Sequence, residues 1–186
     1  SRVSVTRPDA RSSGPNGERC RMEPAIRLEV IRPSLVRSFD EGTDAFEAAC
    51  DAASGAAHEL IGQVLHATIG MSGPEGPTEP WCGYLAIAPT LRQVVGTCAF
   101  KGLPTGDGVE IAYFTFPPFE GRGYAVAMAG RLVQIAQEAA PGIRVFAQTL
   151  PEACASTRIL EKTGFRYAGE RLHPDDGRVW EWERGT

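Results

Sequence analysis

The sequence predicts an α+β fold: a twisted, mixed but mostly antiparallel sheet of six to seven strands, flanked by about four helices. Three observations predict it. The elements read in the order β-α-α-β-β-β-α-β-α-β-β. In the middle, "WCGYLAIAP", "RQVVGTCAFKG" and "GVEIAYFTF" follow one another with only short turns between, which makes them antiparallel neighbours. A helical pattern then separates "GVEIAYFTF" from "IRVFAQTL", so those two strands should run parallel across a right-handed crossover.

Each element has its local reason. "IRLEVIR", from Ile26 to Arg32, alternates apolar and charged residues as a half-buried strand does, and Pro33 ends it. Ser34 is placed to cap a helix through "LVRSFDEGTDAFEAACDAA", which Gly42 and Thr43 should break or bend. From Ala56 to Ile69, Leu60, Ile61, Val64, Leu65 and Ile69 form one apolar stripe. "GMSGPEGPTEP" is a loop, and "LPTGDG" carries hairpin-turn chemistry. Ala127, Met128, Leu132, Ile135, Ala136 and Ala139 recur at helical spacing up to Pro141. "PEACASTRILEKTG" reads as a short helix with Pro151 in its first turn and Gly164 just past its end. "FRYAGERL" and "RVWEWER" close the chain as strands around "HPDDG". Trp180 and Trp182, on one face of the last strand, read as core or sheet cover.

The totals bound the function. A chain of 186 residues, 42% hydrophobic and 23% charged, fits one soluble domain with a sizeable core. A net charge of -4 and a pI near 5.5 exclude a dedicated nucleic-acid binder with a basic face, and no apolar run is long enough to span a bilayer. Cys20, Cys50, Cys82, Cys98 and Cys154 are scattered and odd in number, which points to reduced thiols in the cytoplasm and to no zinc site. His58 and His66 stand too far apart along a helix to share a metal. Residues 1–24, rich in Ser, Arg, Pro and Gly, read as a disordered extension ahead of a domain over residues 25–186. The simpler account makes Met22 the natural start and what precedes it upstream sequence.

The chemistry is expected at "FPPFEGRGYAVAMAGRLVQIA". After a strand, the amides of Arg122, Gly123, Tyr124 and Ala125 fall in a first helical turn, where no intrahelical acceptor exists. With the helix dipole behind them they suit a phosphate, and Arg122 adds charge. Gly121 and Gly123 keep side chains out of the way. Val126 stands where a dinucleotide fingerprint needs a third small residue, and no G-x-x-x-x-G-K-[ST] occurs.

"FEGRGYA", followed one crossover later by "PEACASTRILEKTGF", resembles the GNAT superfamily of acetyl-CoA-dependent N-acetyltransferases. The strand "VEIAYFTFPPF" and the terminal "DGRVWEWER" make the branch of ribosomal-protein N-terminal acetylases the nearest in kind, over about Trp81 to Arg184. The resemblance implies that Gly121, Arg122, Gly123, Tyr124 and Ala125 hold the coenzyme A pyrophosphate, with no metal. It also implies that an amide near Phe114, Thr115 and Phe116, on a splayed strand, faces the acyl oxygen. This sequence departs from the family at three places. Glu120 stands where Gln or Arg is usual and should point outward, away from the diphosphate. Ala153 replaces an asparagine, and Leu160 replaces the tyrosine that some branches use as an acid.

The implied function is acetyl transfer from acetyl-CoA to a primary amine in one direct step. A lysine-type amine near pH 7 is neutral in roughly one molecule of two thousand, which costs ~4.5 kcal/mol and calls for a base. Glu110 is the candidate base, directly or through a water, and Ser156 the candidate to protonate the thiolate. The acceptor would be a small-molecule or peptide amine; Asp40, Glu41, Asp44, Glu47 and Asp51 would favour a cationic one if their helix borders the cleft. Dimers are common in the family, so a homodimer stays open. The alternative is an acyl-CoA-binding module with weak or lost catalysis, motivated by Glu120, Ala153 and Leu160.

Overall fold

The computed structural model describes residues 23–73 and 75–184, so all but the last two residues of the expected extension lie outside the described residues. In chain order the elements are β1 (Arg27–Val30), α1 (Pro33–Glu41), α2 (Thr43–Cys50), α3 (His58–Met71), β2 (Gly83–Ala88), β3 (Gln93–Phe100), β4 (Val109–Thr115), α4 (Tyr124–Ala139), β5 (Val145–Thr149), α5 (Ala155–Lys162), β6 (Arg166–His173) and β7 (Gly177–Arg184). The seven strands form one sheet in the order β1-β2-β3-β4-β5-β7-β6. Every pairing is antiparallel except β4 with β5.

Gly42, at φ 131°, breaks the expected helix into α1 and α2, as its place in the sequence suggests, and the fold has five helices against about four expected. Two local readings change. Pro33 does not merely end the strand: it opens α1 with Arg32 at the cap position, and Ser34 makes no cap. α5 begins at Ala155, not at Pro151. Cys154 sets that start, because its thiol accepts the Thr157 amide while Thr157 Oγ1 accepts the Cys154 amide at 3.1 Å. Gly164 does stand past the end of α5, in the left-handed region at φ 82°.

α4 packs on β3 and β4 through Met128, Leu132 and Ala136, all fully buried, whereas Ala139 is exposed. Each large side chain removed from water there contributes about 1.5–3 kcal/mol before the entropy of ordering is counted. The approach is close because β3 carries Gly96. A Cβ on that residue would lie 2.5 Å from the Phe114 carbonyl oxygen and 3.0 Å from Met128 Cε. Gly96 pairs with Thr115. Strand alternation therefore puts Ile111, Tyr113 and Thr115 on the α4 face, and Glu110, Ala112 and Phe114 on the opposite one.

The feature that makes a site is where the sheet stops being continuous. β4 and β5 pair only at Val109↔Val145 and Glu110↔Phe146. β5 stays in register with β7 along its whole length, from Val145↔Arg184 to Thr149↔Trp180. β4 stays with β3 as far as Thr115. The two halves thus part after Glu110 and leave an open wedge.

Candidate active site

Main-chain geometry decides what β4 offers the wedge. Phe116 N–H donates to Val95 O at 2.9 Å and Lys101 N–H to Glu110 O at 2.9 Å, so the even-numbered peptide groups are spent on β3. Val109 N–H donates the other way, to Arg144 O at 2.9 Å. The Glu110↔Phe146 pairing also takes the Ile111 amide, which donates to the Phe146 carbonyl; beyond it, Tyr113 and Thr115 turn their amides and carbonyls into the wedge. Of Phe114, Thr115 and Phe116, only Thr115 can therefore serve as an amide donor there, and Tyr113 joins it. Phe116 is instead fully buried in the core, and the Phe114 ring, half exposed, packs edge-on against it at 5.8 Å.

At the open end of β4 lies the glycine turn. Gly121 (φ 71°) and Gly123 (φ 90°) both take left-handed backbone, the physical reason for glycine at each. The helix begins one to two residues later than the sequence suggests: Gly123 is the cap residue, Tyr124 the first of α4, and Arg122 lies in the turn before it. The amides from Gly121 to Val126 find no acceptor among the described residues, the first intrahelical bond being Ala127 N–H to Gly123 O at 3.1 Å. A Cβ on Gly121 would meet nothing within 4 Å, so the space in front of it is open. Arg122 is exposed, with its guanidinium 5.7 Å over the Phe119 ring. Glu120 is exposed as well. Tyr124 is buried edge-on to Phe119 and Ala125 half-buried, so each offers its amide rather than its side chain.

The wedge itself is a cleft of about 170 Å³, lined among others by Lys101, Glu110, Tyr113, Gln148, Ser156 and Leu160. The structure thus brings both candidates, Glu110 and Ser156, to one cavity. Glu110 is not alone: Lys101 Nζ lies 2.9 Å from its Oε1. Tyr113 reaches across from β4 and donates its hydroxyl to the Ser156 carbonyl at 3.4 Å, a long bond. Burial pushes the Tyr113 phenol well above its ordinary range, with a further push from Cys154. Thr115 Oγ1 is buried with no partner among the described residues, the kind of orphan that asks for a ligand. A second hollow of about 110 Å³, between β1 and α1 at Glu29, Arg32 and Ser38, shares no residue with the cleft.

Lys101 and Tyr113 escaped the sequence reading. Counting the turn "LPTGDG" outward would have set Lys101 opposite Glu110, and alternation along "VEIAYFT" would have set Tyr113 on the α4 face. The other titratable groups behave as packing residues. His58 stacks on Phe39 at 4.5 Å and shares a hydrogen bond with Ser54. His66 bonds the Gly62 carbonyl at 2.8 Å and pairs with Asp40 at 3.1 Å. Trp182 is buried and donates to Thr149 Oγ1 at 3.1 Å. Part of the acidic run is also engaged, Asp40 with His66 and Asp51 with Arg92. Cys50, Cys82, Cys98 and Cys154 are free thiols. Among the described residues there is no metal-ligand cluster, and no helix is long and apolar enough to cross a membrane.

A sheet split beside a strand-to-helix glycine turn is the arrangement that the resemblance to the GNAT superfamily implies. The family model described as "Acetyltransferase (GNAT) domain" matches residues 56–166, and the chain belongs to that family. No curated protein matches the chain. Among solved structures, a GNAT-family acetyltransferase from Bordetella pertussis is similar at 20% identity, with a TM-score of 0.58 over 86% of this chain and 95% of that one. The ribosomal-protein-S5-alanine acetyltransferase from Vibrio fischeri is similar at 13% identity, TM-score 0.55, over 86% and 91%. A microcin C7 self immunity acetyltransferase, solved with acetyl-CoA and AMP, is similar at 12% identity, TM-score 0.59, over 87% and 92%. At these identities the likeness is one of fold.

Proposed function

We propose that this protein transfers the acetyl group of acetyl-CoA directly to a primary amine, carried by a small molecule or a peptide. The observation that carries the reading is the wedge. Outward-facing peptide groups of Tyr113 and Thr115 lie between the amides at Gly121–Val126, which have no acceptor among the described residues, and the carboxylate of Glu110. The residues present fit the coenzyme: open amides suit its diphosphate, and the orphan Thr115 hydroxyl suits an amide of its pantetheine arm. A structurally similar protein solved with acetyl-CoA supports the same assignment. Bound there, the coenzyme would supply an acyl group activated as a thioester.

The protein's own part is positioning and proton handling. Tyr124, Ala125 and their neighbours hold the anion through amides. The Tyr113 or Thr115 amide serves as the donor for charge developing on the acyl oxygen. Glu110, with Lys101 displaced from it, accepts the proton of the incoming ammonium. Tyr113, kept protonated by burial, turns its single hydroxyl proton from the Ser156 carbonyl, where it makes a long bond, to the departing sulfur, which makes up for Leu160. Ser156, through that carbonyl, holds the hydroxyl beside the cleft until then. Free thiols fit a reaction in the reducing cytoplasm. The reading of a mere binding module loses ground, because exposed Glu120 leaves the turn clear and Tyr113 restores a donor.

The test is coenzyme release from acetyl-CoA against a panel of amines, run with the natural chain and Glu110→Gln. Turnover with at least one amine, falling about 10²–10⁴-fold in the variant at neutral pH, is the expected outcome. Binding of acetyl-CoA without turnover on any amine would return the protein to the binding-module class.

A further inference from the structure

The chain carries two lysines, Lys101 and Lys162, and its other cations are arginines. Lys162 sits in the last turn of α5. Lys101 is in the cleft. Its main-chain N–H donates to the Glu110 carbonyl, which fixes its Cα directly across the β3–β4 hairpin from the candidate base. Its Nζ stands 2.9 Å from Glu110 Oε1, with Lys101 42% and Glu110 19% exposed. An acceptor amine must reach the same carboxylate from the same cavity. Lys101 already meets that requirement: a primary amine, within hydrogen-bond distance of the base, lining the wedge where the thioester would lie.

We propose that Lys101 is an internal acetyl acceptor, modified in cis when no amine substrate is present. This rests on the acetyl-transfer reading above. In the step, Glu110 takes a proton from the Lys101 ammonium and the freed Nζ lone pair forms a bond to the acetyl carbon. The carbon–sulfur bond breaks, and coenzyme A leaves as a thiolate that collects a proton. Amide and thiol replace amine and thioester, and no oxidant or further reactant is needed. Lys101 must leave its ion pair with Glu110 to reach the thioester, so the step is slow beside turnover on a true acceptor. Its product is a neutral side chain that no longer pairs with Glu110, so the modification changes the charge at the mouth of the cleft.

The chain supplies its own control in Lys162. The full-length protein is incubated with acetyl-CoA alone and the acetyl group located by peptide mass spectrometry. Expected is acetyl-Lys101 forming about 10²-fold faster than acetyl-Lys162, at a rate independent of protein concentration. Glu110→Gln slows it, and Lys101→Arg, which keeps the charge and the pairing, abolishes it. Equal rates at the two lysines overturn the proposal, as does a rate that climbs with protein concentration. Acetyl-CoA binding with amine turnover but an unmodified Lys101 overturns this inference alone. Absence of coenzyme binding by calorimetry overturns it together with the acetyl-transfer reading.

Discussion

Replacing Gly123 by alanine tests the proposed coenzyme site where the backbone is most demanding. At φ 90° an alanine pays roughly 1–2 kcal/mol that glycine does not. Its Cβ would also lie 3.1 Å from Pro24 Cδ, on the segment that leads into β1, tight enough that one side must shift by a few tenths of an ångström. If the turn keeps its shape, the melting temperature of a chain this size falls by about 2–8 °C and nothing else changes. If the turn relaxes to negative φ instead, the amides of Gly123 and Tyr124 swing off the diphosphate. One charge-assisted hydrogen bond is worth about 1.5–3 kcal/mol, so acetyl-CoA affinity drops about 10- to 100-fold. The relaxed turn is expected, because the strain and the Pro24 contact act together. Since the diphosphate lies far from the reacting bond, the loss should fall on the KM for acetyl-CoA and leave kcat nearly intact. Gly121→Ala, whose Cβ meets nothing, carries the backbone cost alone and should show the smaller effect. Isothermal titration with acetyl-CoA reads the affinity, and thermal melting of the unliganded proteins confirms the fold. A folded Gly123→Ala that binds acetyl-CoA within twofold of the natural chain would refute the idea that these amides grip the diphosphate.

Tyr113→Phe removes the donor offered to the leaving sulfur, and kcat should fall about tenfold, the worth of one hydrogen bond, at unchanged KM for acetyl-CoA; an unchanged kcat in single-turnover measurements removes Tyr113 from the reaction. Acid should unfold the protein partly through Glu181, which is 5% exposed between Arg144 and Arg171, each at 2.7 Å. Burial alone would raise its pKa, but the two guanidinium hydrogen bonds outweigh burial and hold it below the ordinary carboxylate value. The unfolded chain therefore binds more protons: stability is full above the normal Glu range and lost as pH falls through it toward the folded value. Glu181→Gln should cost about 2 kcal/mol near pH 7, less than a fully dry pair because Arg171 is largely exposed, and should flatten the acid limb of a denaturation-versus-pH series. An acid limb of unchanged slope would assign it to other carboxylates.

The sequence by itself determined the elements and the place of the glycine turn proposed to hold an anion. Period-two and period-3.6 patterns, Pro33, Gly42 and Gly164 are local signals, because each acts through the dihedral angles of its own few residues. Gly121 and Gly123 were legible for the same reason. What the sequence left undecided is everything that depends on register between strands. Which amides face the wedge follows from β4 pairing with β3 through its even-numbered residues, and that leaves the amides of Tyr113 and Thr115, not those of Phe114 and Phe116, turned toward it. The partner of Glu110 depends on the same hairpin register, which sets Lys101 across from it. The wedge exists because β5 remains zipped to β7 while β4 remains zipped to β3, a division of hydrogen bonds among four strands that no single stretch encodes. Chemistry that sits on one turn can be read along the chain; chemistry shared between strands waits for the chain to close on itself.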